Sequence, residues 1–382
     1  MIEIKDKKNC SACTACVSIC PQKCITMKED EEGFLYPETH REKCVNCGLC
    51  QSVCQHIHFP EKKDIPMAYA GYNKNEDLRE KSSSGGVFTL LAESILNEGG
   101  AVYGAGFDKD FILHHMCIEN INDLEKLRGS KYMQSIMGDT FPKIKKQLET
   151  GKKVLFTGTP CQCEGLLRYL KKKYENLYIQ DIICHGVPSG KLWNKYLEDK
   201  KINKYDLEKI SFRDKKTGWK DYSLLFKYRS GENVREKAKE TSYMRAFIKN
   251  ASLRYSCYNC KVKSLGRHSD ITLGDFWGVE YVLPEMEKNM GVSLILVHSD
   301  KGENLLSKVK ENMVITPVNP LDGIKYNKSA VNVPDIPKMR ASFYQNAENK
   351  GIEKAVKKAV KPKISVTVKN ILKKVIGKQK KY

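Results

Sequence analysis

Eight of the fifteen cysteines form two copies of one ligand spacing. The first copy is Cys10-x2-Cys13-x2-Cys16-x3-Cys20, followed by Pro21. The second is Cys44-x2-Cys47-x2-Cys50-x3-Cys54, each cysteine 34 positions after its counterpart. A cubane iron–sulfur cluster presents four iron corners, and each needs a thiolate. Two-residue gaps let a tight loop wrap three corners, and the fourth ligand of each run reaches the neighbouring cluster. Cys10, Cys13, Cys16 and Cys54 are therefore expected on one 4Fe–4S cluster, and Cys44, Cys47, Cys50 and Cys20 on another. The competing metal is zinc, but zinc sites take four ligands, typically as two CxxC pairs, and have no use for a third and fourth cysteine in each run. Gln55 stands where a second proline would follow Cys54, a departure expected to alter a turn but not ligation. Cys24 is left over and reads as a buried small side chain.

Over residues 1–60 this pattern resembles bacterial dicluster ferredoxins, which pass single electrons and do not by themselves name a substrate.

Beyond a linker at 56–66, strands and helices alternate, and their junctions hold the remaining chemistry. Strands are expected at Met67–Tyr72, Ala101–Phe107, Phe111–Ile118, Val154–Thr157, Tyr178–Cys184, Tyr222–Tyr228 and Val292–His298. Helices are expected at Gly86–Asn97, Asp139–Thr150, Cys161–Lys173 and Gly190–Lys200. The mixture predicts an α+β chain: a two-cluster ferredoxin-like module followed by a mixed α/β body. Ser82-Ser83-Ser84-Gly85-Gly86 opens a helix, where free N–H groups suit an anion, although serine is also an ordinary N-cap. Thr157-Gly158-Thr159-Pro160-Cys161 and Asp181-Ile182-Ile183-Cys184-His185-Gly186 each end a strand with a cysteine, and either cysteine alone reads as structural. Cys257-Tyr258-Asn259-Cys260 changes that balance. With Cys161 and Cys184 it completes four thiols, enough for a third cubane; a redox CxxC or half a zinc site is the alternative. Cys163 could replace Cys161 but falls inside a helix. Cys117 is expected to pack in the core.

Residues 67–320 resemble the family of coenzyme F420 hydrogenase/dehydrogenase beta subunits. The matching stretches are Ser82–Gly86, Gly104-Ala105, Gly129-Ser130-Lys131-Tyr132, Gly158–Gln162, Cys184–Ser189, Phe212-Arg213-Asp214 and Gly274–Gly278. The resemblance implies a flavin-binding body with FAD beside a 4Fe–4S cluster, and it agrees with Cys161, Cys184, Cys257 and Cys260 as cluster ligands. It implies that Ser83, Ser84, Gly85, Gly86 and Lys131 hold FAD, with the backbone of Thr157, Gly158 and Thr159 approaching it. His185 is the candidate proton donor or flavin-tuning group, against the commoner role of a hydrogen bonder behind a ligand. Arg213 and Lys220 are candidates to attract an anionic substrate, and Asp275 and Trp277 to shape the turn. The implied regions are 1–60 (ferredoxin-like), 67–150 (the N-terminal region of the beta-subunit type), 151–320 (its C-terminal region, with FAD and the third cluster) and 345–382 (basic tail).

The function implied is an oxidoreductase. Electrons pass from ferredoxin or another low-potential donor through the clusters to FAD and a substrate, either of F420 type or glycan-related. The alternative is an electron-transfer subunit serving a partner enzyme. Composition fits this picture. The chain has 382 residues, 41% hydrophobic and 29% charged, so it can bury a core without disulfides. No run of 18 apolar residues and no apolar leader is visible, which predicts a cytoplasmic protein. The formal charge is +20, but eleven lysines and no acids lie between Lys354 and Tyr382. Residues 1–60 carry 7 basic and 8 acidic side chains, so overall charge does not argue for a nucleic-acid partner. The tail reads either as a basic amphipathic helix in peripheral contact with an anionic membrane or as a solvated tail.

Overall fold

Residues 1–359 of a computed structural model are described here. The membrane-contact reading of the tail falls largely on 360–382, outside the described residues.

The 34-residue repeat of the cysteines is also a repeat of backbone conformation. Ala12 and Asn46 have φ of 54° and 52°, and Thr14 and Gly48 have 66° and 76°. Left-handed residues inside a tight loop turn successive N–H groups to one side, the concave geometry suited to an anionic cluster. Each loop runs into a short helix, Ala15–Ile19 and Leu49–Ser52. Between them lies an antiparallel hairpin of β1 (Ile25–Glu29) and β2 (Leu35–Thr39), in register from Ile25 opposite Thr39.

The body is built on strands β3 (Met67–Asn73), β4 (Ala101–Phe107), β5 (Leu113–Ile118), β6 (Val154–Gly158) and β7 (Leu177–Ile182). They are joined by β8 (Leu207–Asp214), β9 (Ser223–Tyr228), β10 (Asn233–Lys237), β11 (Ile271–Asp275), β12 (Ser293–Val297) and β13 (Met313–Val318). Eight of these form one mixed sheet in the order β13-β3-β12-β11-β7-β6-β4-β5. Its centre, β4-β6-β7-β11, is parallel. Alternation along a strand decides which layer each side chain joins. Leu155 packs with the Val87–Asn97 helix, whereas Val154 and Phe156 pack with the Thr140–Glu149 and Pro160–Leu170 helices. Ala15 and Val53 of the N-terminal module belong to that second layer, so the module shares a core with the body. β8, β9 and β10 form a separate antiparallel sheet over an aromatic core that includes Trp193, Tyr196 and Tyr243.

The regions 67–150 and 151–320 contribute to one sheet, because β4 pairs with β6 and β3 with β12 and β13. The structure corrects the sequence expectations in two places. Residues 345–359 are not tail: the helices Arg340–Lys350 and Ile352–Ala359 bury Phe343, Tyr344, Ile352 and Val356 in the aromatic core. Arg340 also forms a buried two-pronged ion pair with Glu32 of the N-terminal module, at 2.8 and 2.7 Å. Cys117 lies on β5 but is exposed rather than in the core. No described helix is long and apolar enough to cross a membrane.

Candidate redox centre

The two cysteine runs cross over in space. Cys10, Cys13, Cys16 and Cys54 line one small cavity together with Thr14 and His56. Cys20, Cys44, Cys47 and Cys50 line another together with Cys24. Cys24 is buried as expected, but its sulfur lies 3.4 Å from that of Cys20, so it belongs to the wall of the second cavity. Burial pushes the Cys13 thiol up to about 11, and Cys16 rises for the same reason, with nearby thiols adding to it. Thiols held this way stay protonated in water near neutral pH, and a bound metal displaces the proton. Among the described residues no three His, Cys, Asp or Glu side chains close on a single ion.

Both ring nitrogens of His56 and the hydroxyl of Thr14 are buried without a hydrogen-bond partner among the described residues. Burial holds His56 down at about 4, so the ring is neutral. An acceptor in the cavity, such as a cluster sulfide or thiolate, would satisfy an imidazole N–H that otherwise costs free energy.

A third group of thiols comes from three parts of the body. Cys161 sits in the first turn of the Pro160–Leu170 helix, Cys184 follows β7, Cys257 lies within the Tyr255–Asn259 turn and Cys260 caps its end. Burial pushes Cys161, Cys184 and Cys257 each up to about 12, and proximity within the group adds to the rise. Gly186 lets the chain after Cys184 pass close to Cys257: a Cβ there would lie 3.3 Å from the Cys257 Cβ. Cys163 is buried against the Gln180 carbonyl at 3.9 Å, on the sheet side of the helix.

The first and third groups adjoin. A Cβ on Gly165, one helical turn after Cys161, would fall 2.7 Å from the Cys13 Cβ and 2.9 Å from its sulfur. The Gln55 amide donates to the Cys161 carbonyl at 2.8 Å and to Ser11 Oγ at 3.2 Å. The missing proline is therefore a contact between module and body rather than a change of turn, and the departure itself was the sequence signal. Arg254, 1% exposed, donates to the Cys10 carbonyl at 2.8 Å, the Leu35 carbonyl at 2.9 Å and Gln134 Oε1 at 3.1 Å. Nothing in its local sequence marked it out.

The residues expected around a flavin are engaged with other parts of the body. Ser83 Oγ accepts from the Ser130 N–H at 2.7 Å, and Ser84 Oγ donates to the Val292 carbonyl at 2.9 Å. A Cβ on Gly85 would lie 2.4 Å from the Gly71 carbonyl oxygen, and Gly86 has φ of 83° as the helix begins. Lys131 donates to the carbonyls of Lys126, Leu127 and Arg128 at 2.9–3.2 Å, and burial lowers its ammonium to about 7. Thr157 donates its hydroxyl to Gln180 at 2.7 Å, and its carbonyl accepts from His115 at 3.0 Å. Gly158 ends β6, and the Thr159 N–H donates to Gln162 Oε1 at 2.9 Å. His185 has both nitrogens occupied. The Phe247 carbonyl at 3.2 Å can only accept, so Nε2 carries the proton and Nδ1 faces Ser329 Oγ at 3.2 Å. Burial lowers its pKa, which keeps the ring neutral.

Arg213 is withdrawn into the interior, whereas Lys220 stays exposed at the surface. Arg213 is buried against Asp275 and over the ring of Tyr222, and Lys220 pairs with Glu280 and Glu287 at 3.0 and 3.3 Å. Sequence reasoning missed Lys215. Its ammonium binds the carbonyls of Arg79, Ser84 and Met290 at 2.6–2.9 Å, tying the 82–86 loop to the strand that carries Arg213.

Fold and cysteine arrangement define an iron–sulfur electron-transfer protein. Residues 9–56 match the 4Fe-4S dicluster domain. Residues 68–140 match the N-terminal region of the family described as "Coenzyme F420 hydrogenase/dehydrogenase, beta subunit", and 151–322 match its C-terminal region. The chain belongs to this family of coenzyme F420 hydrogenase/dehydrogenase beta subunits, with a dicluster ferredoxin domain preceding the family's two regions. It is 25% identical over 363 residues to the coenzyme F420-dependent sulfite reductase of Methanocaldococcus jannaschii, covering 92% of this chain and 55% of that protein. It is 22% identical over 223 residues to a subunit of the F(420)H(2) dehydrogenase of Methanosarcina mazei, covering 53% of this chain and 61% of that one. The chain thus spans little more than half the length of these two relatives. A chain of the F420-reducing [NiFe] hydrogenase complex from Methanosarcina barkeri superposes with a TM-score of 0.46 at 18% identity, covering 78% of this chain and 94% of that one.

Proposed function

We propose that this chain is an iron–sulfur flavoprotein oxidoreductase that links a low-potential one-electron carrier of ferredoxin type to a two-electron redox substrate. In this reading Cys10, Cys13, Cys16 and Cys54 hold the first cluster, Cys20, Cys44, Cys47 and Cys50 the second, and Cys161, Cys184, Cys257 and Cys260 the third. The observation that carries it is the contact of Cys13 with the helix bearing Cys161, made possible by Gly165. Electron transfer weakens steeply with distance, and this contact leaves no intervening layer between the first and third groups.

Two features support FAD in the body. The Arg213 Nε is buried without a partner among the described residues, and the adjacent 82–86 loop opens a helix whose first N–H groups suit a phosphate. Ser83, Ser84, Gly85, Gly86 and Lys131, with the backbone of Thr157, Gly158 and Thr159, are the residues we assign to it. FAD would supply the exchange between single electrons and a hydride. Tyr132 stacks on Phe247 at 5.0 Å, and the Phe247 carbonyl holds His185 beside Cys184, so packed side chains join this region to the third group. His185, neutral and doubly hydrogen-bonded, acts by orienting the Cys184 loop rather than by giving up a proton.

Of the two substrate classes expected, a deazaflavin of F420 type has the support of the two F420-named relatives. The second reading, a subunit serving a partner enzyme, is favoured by the likeness to a protein that is itself a subunit of the F(420)H(2) dehydrogenase.

Oxygen-free preparation of the chain should give about twelve irons, from three four-iron clusters, together with FAD. Cys257→Ser should lower this by about four irons and leave the dicluster signals in place. Iron near ~8 in the parent chain would remove the third cluster. Reduction of a viologen dye by reduced F420 with the purified chain alone would favour the enzyme over the subunit reading.

A further inference from the structure

The twelve proposed ligands differ in one respect that the route above does not use: Cys47 alone among them is exposed. It belongs to the second group, whereas the Gly165 contact is made by Cys13 of the first group. Beside Cys47 stands Val45, 62% exposed, and the exposed Asn46. Val45 lines the second cavity and its exposed part is available to the apolar surface of a partner.

The charges around this patch lean one way. Between Lys43 and Pro60 there is no acidic residue, and there is none between Cys20 and Lys28. Lys23 and Lys43 are exposed, and neither has a carboxylate within 4.0 Å among the described residues. Lys171 reaches Ser52 at 3.5 Å, on the Leu49–Ser52 helix that also carries Cys50 of the second group. The acids in the neighbourhood are Glu3, 3.9 Å from Arg41, and Glu42, 3.8 Å from His40.

We infer that the face formed by Val45, Asn46 and Cys47, rimmed by Lys23, Lys43 and Lys171, docks a small acidic one-electron carrier protein and is the port through which the second cluster exchanges electrons. This rests on the cluster assignment proposed above. Encounters between electron-transfer proteins are small and short-lived, so one exposed apolar side chain with a charged rim is sufficient to build one. Opposite charge steers the carrier and makes the association rate fall with salt.

The test uses the full chain loaded with iron and, as donor, a chemically reduced acidic ferredoxin, followed by stopped-flow absorbance over a range of ionic strength. The parent chain should be reduced fastest at low salt, with a rate that falls as salt rises. Lys23→Glu combined with Lys43→Glu should cut the low-salt rate by about tenfold or more and flatten or reverse the salt slope. Lys23→Gln with Lys43→Gln, which adds no new charge, should fall between the two. Iron and sulfide are assayed in each variant. Full iron with unchanged rate and slope overturns the port. A parent chain whose reduction is insensitive to salt overturns it as well. A parent chain that takes up no iron instead overturns the cluster assignment.

Discussion

Gly165 and Cys13 touch so closely that a single methyl group on the glycine would stand 2.7 Å from the cysteine Cβ. The close approach of Cys13 to the helix of Cys161 therefore depends on the absence of a side chain at position 165. Gly165→Ala should force the module outward. The cost expected is ~1–3 kcal/mol, as for other overpacked cores, read as a lower Tm. Freeze-quench EPR should show slower electron exchange between the first and third clusters at unchanged iron content. An alanine variant with parent-like melting and exchange would show that the two units are not coupled there.

Gln55 donates to the backbone of the body and to a side chain of the module at this junction. Gln55→Leu keeps the volume and removes the donor that links the Cys161 carbonyl to the module. The loss should be about 1–3 kcal/mol of stability. Chemical denaturation of the iron-loaded chain measures it, and a variant within error of the parent would mean that water replaces the amide.

His56 faces the first cavity with a neutral ring and no protein partner among the described residues. A hydrogen bond to the cluster would stabilise its reduced, more negative state and raise its reduction potential. His56→Leu should then lower the midpoint of one cluster by ~60 mV, the equivalent of a hydrogen bond of about 1.4 kcal/mol to a charged acceptor. An EPR-monitored redox titration reads it, with iron content as the control; three unchanged midpoints would leave His56 without this role.

His115 is buried between Ser135 and the Thr157 carbonyl, and burial lowers it to about 4 from its ordinary 6.5. The folded chain holds the ring neutral while the unfolded chain takes up a proton below about 6.5. Stability is therefore full above about pH 6.5 and lost as pH falls toward about 4, by at most ~3 kcal/mol. His115→Gln should give a shallower loss over that window than the parent chain does. Parallel acid-unfolding curves for the two would rule His115 out as a contributor.

Ligand spacing was legible in the sequence because a cluster loop is local: a few residues and their left-handed turns form most of it. The 34-residue repeat, the strand from Ala101 to Phe107 and the helices after Gly86 and Ser189 followed from short-range patterns of the same kind. What tertiary structure decided is everything that depends on distant segments meeting. β11 and β13 have no strong local signal and exist as strands because the sheet supplies their partners. Residues 345–359 read as the start of a basic tail, yet Ile352 and Val356 find an aromatic core that no local pattern reveals. Gln55, Arg254 and Gly165 matter only where the module meets the body. The exposure of Cys47, against the partial or full burial of its eleven counterparts, is likewise a property of the assembled surface, since identical spacing along the chain carries no record of what will pack against each loop.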